Sequence, residues 1–338
     1  MKLLYFFLII LIILKFQYND DIETTVDWFY NFTDNEYLIY EYDIKSKLLF
    51  ESNIKPSLRK LASTWVLSEY YLYSLKKYNF YNANKIKKLI IKGLSYFQKF
   101  IVKKNNYYWF TNTNLGCIAF YIIVINNLNI EDPYYLKFYK SLLDSQIIDG
   151  ANKGAFYTNW NSKDINNDIR YIPSQILLAL LSHYKKYKNN DLLNRIELAL
   201  FYYNKIKNNL SISWLVQPNY QMYMITKNKI YANMVFELGD EMINYTMLSK
   251  DTNIVNMSVG TWMEGLVDCY KLAKYLKDKD RTFKYKKALN IGSINLKKIK
   301  QKSSNKLINN GFIQSYNIKR LRVDWNQHAL HFYLKYYT

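Results

Sequence analysis

From Ser57 to the C-terminus the apolar residues fall into runs of helical length and spacing, and the runs come in pairs. The pattern predicts helices over 57–78 with 82–104, 114–128 with 132–148, 173–188 with 191–208, 214–227 with 229–247 and 260–277 with 280–301, then a lone one over 325–337. The first helices recur at intervals of about 40 to 65 residues, the scale of an array of helical hairpins. Two kinds of connector alternate. Within pairs the turns are short and polar, such as Lys188-Asn-Asn-Asp191, where Asp191 is placed to cap the next helix, and Lys277-Asp-Lys-Asp280. Between pairs the links carry Gly and aromatic residues, as in Asn106-Tyr-Tyr-Trp-Phe110, Gly154-Ala-Phe-Tyr-Thr-Asn-Trp160 and Gly311-Phe-Ile-Gln-Ser-Tyr316. The short turns and the long links therefore belong at opposite ends of the hairpins.

First helices are the more apolar, for instance Ile118-Ala-Phe-Tyr-Ile-Ile-Val-Ile125 and Ile176-Leu-Leu-Ala-Leu-Leu181, and second helices carry the lysines. A helix apolar all round lies inside and an amphipathic one outside. The expected architecture is all-α: an α/α barrel, or toroid, of about six hairpins over residues 57–338. An open solenoid of the same hairpins is the alternative, since closure is not written in a periodicity. Residues 20–56 read differently. Tyr37-Leu-Ile-Tyr-Glu-Tyr-Asp43 and Leu48-Leu-Phe-Glu-Ser52 flank a polar turn and predict a small β-hairpin in an N-terminal extension.

In residues 1–19 a lysine, Lys2, is followed by an apolar run over 3–14, the length of a signal-peptide core and short of the ~20 residues of a spanning helix. No small-x-small cleavage site follows Leu14, so a short signal anchor, with membrane attachment through residues 3–14, stands beside a cleaved signal peptide. Either places the protein outside the membrane or anchored to it.

Half of the 338 residues are hydrophobic and 18% are aromatic, which excludes a disordered chain. The net charge of +20 invites a nucleic-acid reading. The lysines, however, recur along the predicted outer helices, as in Lys85, Lys87, Lys88 and Lys92, which is a solvated face and not a specific nucleic-acid site. Two cysteines, Cys117 and Cys269, exclude a disulfide framework.

If the barrel closes, the long links and the N-termini of the inner helices share one mouth, where exposed N–H groups favour anions. Polar and aromatic residues stand at those positions: Arg59, Thr64 and Trp65; Tyr171 and Gln175; Trp214 and Gln217; Trp262 and Glu264; Asp324, Trp325 and His328. Glu264 and Asp268 share a helix face, on which solvation alone would explain them. His328 and His331 are three apart, a weak metal pair, and core or capping roles fit them as well. Asp324 reads as the N-cap of the last helix. The carboxylates Glu237, Asp240 and Glu241 lie on an outer helix, away from the mouth. Flat tryptophan faces beside polar groups suit sugar rings, although core packing explains many of them equally.

Several short runs carry a resemblance. Tyr40-Glu-Tyr-Asp43, Asn53 and Arg59-Lys-Leu-Ala-Ser-Thr-Trp-Val-Leu67 are similar to the start of the first helix in a group of bacterial α/α-toroid proteins, where the run is Asn…Arg-x-Ala-Gly-Thr-x-x-Ala-Leu. Tyr171-Ile-Pro-Ser-Gln175, Glu264-Gly-Leu-Val-Asp268 and Val323-Asp-Trp-Asn-Gln-His-Ala-Leu330 extend the likeness along the chain. The chain thus resembles the six-hairpin toroid superfamily, which includes glycoside hydrolases, polysaccharide lyases and uronyl epimerases. The resemblance implies no single reaction. Ser63 replaces a Gly of the pattern and Gln175 a Glu; were that Glu catalytic, this chain would be a binder or a degenerate enzyme.

These readings converge on a carbohydrate-active or glycan-binding protein of the secretory route or cell envelope. Glu264, Asp324 and His328 are the candidate catalytic residues, with Glu264 or Asp324 as acid/base and His328 as partner. Arg59, Trp65, Tyr171, Gln175, Trp214 and Trp262 are the candidate substrate contacts. The expected ligand is a glycan or another small anionic molecule, and no cofactor or metal is indicated. A non-catalytic helical scaffold or adaptor is the alternative. An isoprenoid-processing toroid enzyme fits less well, for want of an Asp-rich motif or zinc set.

Overall fold

The computed structural model describes residues 20–165, 169–209, 211–246, 248 and 256–338; the expected leader over 1–19 and its attachment segment lie outside them. A helix whose described part is 20–31, here α1, precedes the hairpin β1 (Glu41–Asp43) and β2 (Leu48–Phe50). Then follow α2 (Leu58–Lys76), α3 (Phe80–Gln98), a second hairpin of β3 (Ile101–Lys104) and β4 (Tyr107–Phe110), α4 (Leu115–Leu128), α5 (Tyr135–Asp144), α6 (Ile172–Tyr187) and α7 (Asn190–Lys205). The chain closes with α8 (Ile212–Thr226), α9 (Lys229–Thr246), α10 (Ser258–Tyr275), α11 (Lys279–Ile299), β5 (Arg320–Arg322) and α12 (Val323–Tyr337). Among the described residues no helix is long and apolar enough to cross a membrane.

The even-numbered helices form the inner ring. Each packs on its neighbours in the order α2, α4, α6, α8, α10, α12, and α12 returns to α2. That last contact closes the ring, so the hairpins make a barrel and not an open solenoid. Burial follows: every residue from Ile118 to Ile125 is buried on α4, whereas α3 and α11 bury one face only. The helix without a hairpin partner in the sequence acquires one. Asp21 of α1 receives Lys297 of α11 and Lys300, the residue after that helix, at 3.1 and 3.2 Å, and Glu23 takes the Tyr70 hydroxyl of α2 at 2.6 Å. Residues 20–31 thus occupy the outer position beside α12, which completes six inner–outer pairs.

Local choices explain the elements. Asn79, Asn114, Asn189 and Asp278 cap α3, α4, α7 and α11 through their side chains. Asn189 takes the capping role that the sequence suggested for Asp191, which sits in the first turn instead. The predicted hairpin is present, and β5 pairs with its free side, Glu41 opposite Arg322 and Asp43 opposite Arg320. The three-stranded sheet therefore ties the N-terminal segment to the first residue of α12, with Val323 N donating to Tyr40 O at 3.1 Å.

Candidate functional site at the barrel mouth

Because the inner helices run parallel, their N-termini meet at one end. Leu58, Arg59 and Ala62 of α2, Asn114 at α4, Tyr171 and Gln175 at α6, Trp214 of α8 and Asp324, Gln327 and His328 of α12 enclose a cavity of about 310 Å³. Its lip comes from Ser52, Ile54 and Asn112, loop residues that carry no chemical signal of their own in the sequence. Arg59, Tyr171, Gln175, Trp214, Asp324 and His328 are thus brought together as the sequence predicted.

Glu264 lies beneath the cavity and is fully buried. Its Oε2 faces His328 Nδ1 at 3.0 Å, while Oε1 faces His331 Nδ1 at 3.0 Å and accepts from Gln327 Nε2 at 3.0 Å. Burial would raise this carboxyl, but the two imidazoles outweigh it and hold it at about 2. Burial likewise pushes His328 down, and Glu264 reverses the sign, so its pKa lies above the ordinary 6.5. The other ring nitrogen of His328, Nε2, is the group left for chemistry. Solvation, one reading of Glu264 and Asp268 from sequence, is overturned: both are buried. Among the described residues no group of three or more His, Cys, Asp or Glu is arranged to hold a metal ion.

Asp324 is clamped by two guanidiniums. Arg322 meets it in a fork, Nε to Oδ1 at 2.6 Å and Nη2 to Oδ2 at 3.0 Å, and Arg59 Nε reaches Oδ2 at 3.0 Å. These cations overcome burial and lower its pKa. Asp324 is not the N-cap: that position belongs to Arg322, and Asp324 stands in the first turn, turned to the arginines. Arg59 also donates to the Tyr40 hydroxyl, so the N-terminal segment helps set its direction. Ser63, standing where the related pattern has Gly, donates to Val323 O at 3.2 Å and holds α2 to α12.

Two acceptors in the cavity wall are unsatisfied, Gln175 Oε1 and Gln327 Oε1, both buried. Gly116 leaves the space that Gln175 Oε1 enters; a Cβ there would lie 2.2 Å from it. Buried acceptors without a partner are rare in folded proteins.

Two sequence candidates stand elsewhere. Trp65 is deeper in the barrel, six residues or roughly 9 Å along α2 from Arg59. It stacks on Phe120 at 5.0 Å and 18° and meets His331 edge-on at 4.5 Å, forming the floor. Trp262 does not line the mouth. It is half-buried and faces Tyr245 of α9 at 6.5 Å. Two residues are about 200° of helix, so with Glu264 pointing inward Trp262 must point outward. Gln217, one turn below Trp214, opens to the opposite end of the barrel, and Trp325 lies under the Arg322 guanidinium at 4.2 Å. Glu237 and Glu241 pair with Lys207 on the outside, away from the mouth as expected. The sequence missed that His331 and Gln327 also serve Glu264. The available signal was four buried polar residues, Asp324, Asn326, Gln327 and His331, within one short helix.

A six-pair closed ring with a polar cavity at its N-terminal end defines an α/α-toroid, and comparison with solved structures shows the same. The chain is similar to the cellobiose 2-epimerase of Bacillus thermoamylovorans, at 12% identity and a TM-score of 0.67 over 96% of this chain and 98% of that one. It is similar to a sugar epimerase from a ruminal bacterium, at 9% identity and a TM-score of 0.70 over the same shares, 96% and 98%. An unsaturated glucuronyl hydrolase specific for heparin matches at 10% identity and a TM-score of 0.63, over 94% of this chain and 96% of that one. At such identities the likeness establishes the fold. No protein-family model and no curated protein matches the chain.

Proposed function

We propose that the protein is a carbohydrate-active toroid whose mouth takes a reducing sugar and moves a proton at the carbon beside its carbonyl, as an epimerase or isomerase does. One observation carries this: among the described residues the cavity offers an imidazole oriented by a buried carboxylate, and no carboxyl group held protonated. Glycoside hydrolysis ordinarily uses two carboxyl groups, one kept protonated to donate to the leaving oxygen. Here both oxygens of Glu264 face imidazole or amide groups, and Asp324 is held ionised by Arg59 and Arg322. Glu264 accordingly acts as a positioning residue that fixes the His328 tautomer, leaving Nε2 to take the proton from the carbon beside the carbonyl. Nε2 then delivers it to the former carbonyl carbon of the enediolate, as in an isomerase, or to the opposite face of the carbon it left once the enediolate has turned, as in an epimerase. The exposed edge of Arg59, 46% accessible, suits the oxygen on which negative charge develops. Gln175 Oε1 and Gln327 Oε1 would accept from sugar hydroxyls, and Trp214 would cover an apolar ring face. The sugar-processing activities named for the similar structures support this assignment of substrate class.

Incubation with a panel of aldoses and β-linked disaccharides in D₂O tests it. Deuterium should enter at the carbon next to the carbonyl, and His328→Asn should abolish the exchange. Glycosidic cleavage in its place, or exchange unchanged in His328→Asn, would overturn the proposal; binding without exchange would reduce the protein to a glycan binder. The apolar run over 3–14 supports a further proposal, that the protein works on the secretory route or at the cell envelope. Its release or retention in carbonate-washed membranes separates a cleaved leader from an anchor, and a purely cytosolic pool would refute both.

A further inference from the structure

Below the floor made by Trp65 and Phe120 the same inner helices enclose a second cavity, of about 390 Å³, at the short-turn end. Its wall carries three ammonium groups, Lys185 of α6, Lys271 of α10 and Lys335 of α12, and two carboxylates, Glu69 and Asp268. The carboxylates are already engaged. Asp268 Oδ2 lies 2.6 Å from Lys335 Nζ, and Glu69 Oε1 accepts from Trp65 Nε1 at 3.2 Å and Asn127 Nδ2 at 2.8 Å. Lys185 has only a neutral amide, Gln221 Oε1 at 2.9 Å, and among the described residues Lys271 makes no hydrogen bond or ion pair.

A second, independent observation points to a ligand. Gln217 is 3% exposed and lines this cavity; its Oε1 receives Lys335, but its buried Nε2 has no partner. An orphaned amide donor beside ammonium groups that outnumber the carboxylates of the wall, three to two, is the complement of an oxyanion. The bland reading of these lysines is that they offset the carbonyl ends of their helices. That accounts for Lys185, which sits in the last turn of α6, but not for Lys271, because the last-turn cation of α10 is Lys274. Desolvation depresses the half-buried Lys271, and also the exposed Lys185, below the ordinary lysine value although nearby carboxylates pull the other way, a cost that a bound anion would offset.

We propose that this lower chamber is a second ligand site, separate from the mouth, for a small oxyanion-bearing molecule, with a carboxylate or phosphate group taken by Lys185, Lys271 and Gln217 Nε2. Both sources share this chemistry, and titration calorimetry of the full chain at fixed ionic strength distinguishes them, with inorganic phosphate, D-gluconate and D-glucose as probes. Phosphate or gluconate should bind saturably. Lys271→Met and Lys185→Met should each weaken that binding about tenfold. Lys271→Arg, which keeps the cation, should retain it, separating loss of charge from loss of fold. His328→Asn, at the mouth, should leave it unchanged. No saturable anion binding, binding indifferent to both lysine variants, or glucose binding weakened equally by Lys271→Met would each overturn the assignment.

Discussion

The two ends of the barrel are made by the same six helices, yet they leave opposite groups unpaired. At the mouth Arg322 and one edge of Arg59 meet Asp324 and His328 meets Glu264, and among the described residues the buried groups left without a partner there are two carbonyl acceptors, Gln175 Oε1 and Gln327 Oε1. At the short-turn end Asp268 pairs with Lys335 and Glu69 accepts from neutral donors, and among the described residues the buried group of that wall left without a partner is a donor, Gln217 Nε2, with Lys185 and Lys271 in the same wall. A hydroxyl-bearing ligand answers the first arrangement and an oxyanion the second. The net charge of +20 predicts neither arrangement, because each depends on which few groups a wall leaves unsatisfied.

Glu264 joins the halves, since His328 opens to the mouth and His331 to the lower chamber. Its removal should therefore produce the largest effect. Glu264→Ala leaves two imidazoles and Gln327 without their shared acceptor, and should cost about 3–5 kcal/mol of stability by chemical denaturation, as for a broken buried pair. Proton exchange in the sugar should fall by about 10²- to 10⁴-fold. Glu264→Gln, which keeps the shape, should recover part of the stability but little of the exchange; full exchange in that variant would make the carboxylate charge irrelevant.

The same cluster sets a pH dependence of intermediate size. Glu264 is held at about 2 against an ordinary 4.5, so its contribution is present above 4.5 and lost as the pH falls toward 2. That difference is roughly 3 kcal/mol, shared with the imidazoles and not added to them. His328 has the opposite sign. With its pKa raised above 6.5, the stability it contributes is present below 6.5 and lost as the pH rises through the folded value. A plateau between these limits is expected in wild type and should disappear in Glu264→Ala, which denaturation midpoints across pH would show. The proposed exchange through His328 Nε2 calls for the neutral imidazole, so its rate should climb with pH at values above 6.5.

Much of this was legible in sequence. Apolar helices such as Ile118 to Ile125 could only be interior, and the alternation of Asn/Asp-capped short turns with Gly/aromatic links separated the two ends. Ring closure was not legible, because α12 meets α2 across the whole chain and α1 supplies its outer partner from within a segment read as an extension. The site was half legible. Polar residues at the starts of inner helices marked the mouth, whereas the pairing of Arg322 with Asp324 depends on a strand, β5, that three residues cannot announce. The tryptophans show the remaining gap: composition identifies their chemistry, but helix phase decides which cavity they face.

That phase provides the finest distinction. Trp214 lines the mouth on α8 and stands edge-on to His328, 6.1 Å between ring centres, whereas Trp262 on α10 is rotated outward against Tyr245. Both are large aromatic rings near helix N-termini, so a composition argument ranks them equally. On the present geometry Trp214→Ala should weaken binding of a reducing sugar by about 1–2 kcal/mol, the scale of an aromatic contact together with its buried area. Trp262→Ala should change the affinity by less than about 0.5 kcal/mol, while costing a little stability at the α9–α10 contact. Titrating one sugar against both variants measures the difference directly. Equal losses would mean that the ligand reaches past α10 to the outer ring, and the mouth would then be wider than Arg59, Gln175, Trp214 and His328 enclose.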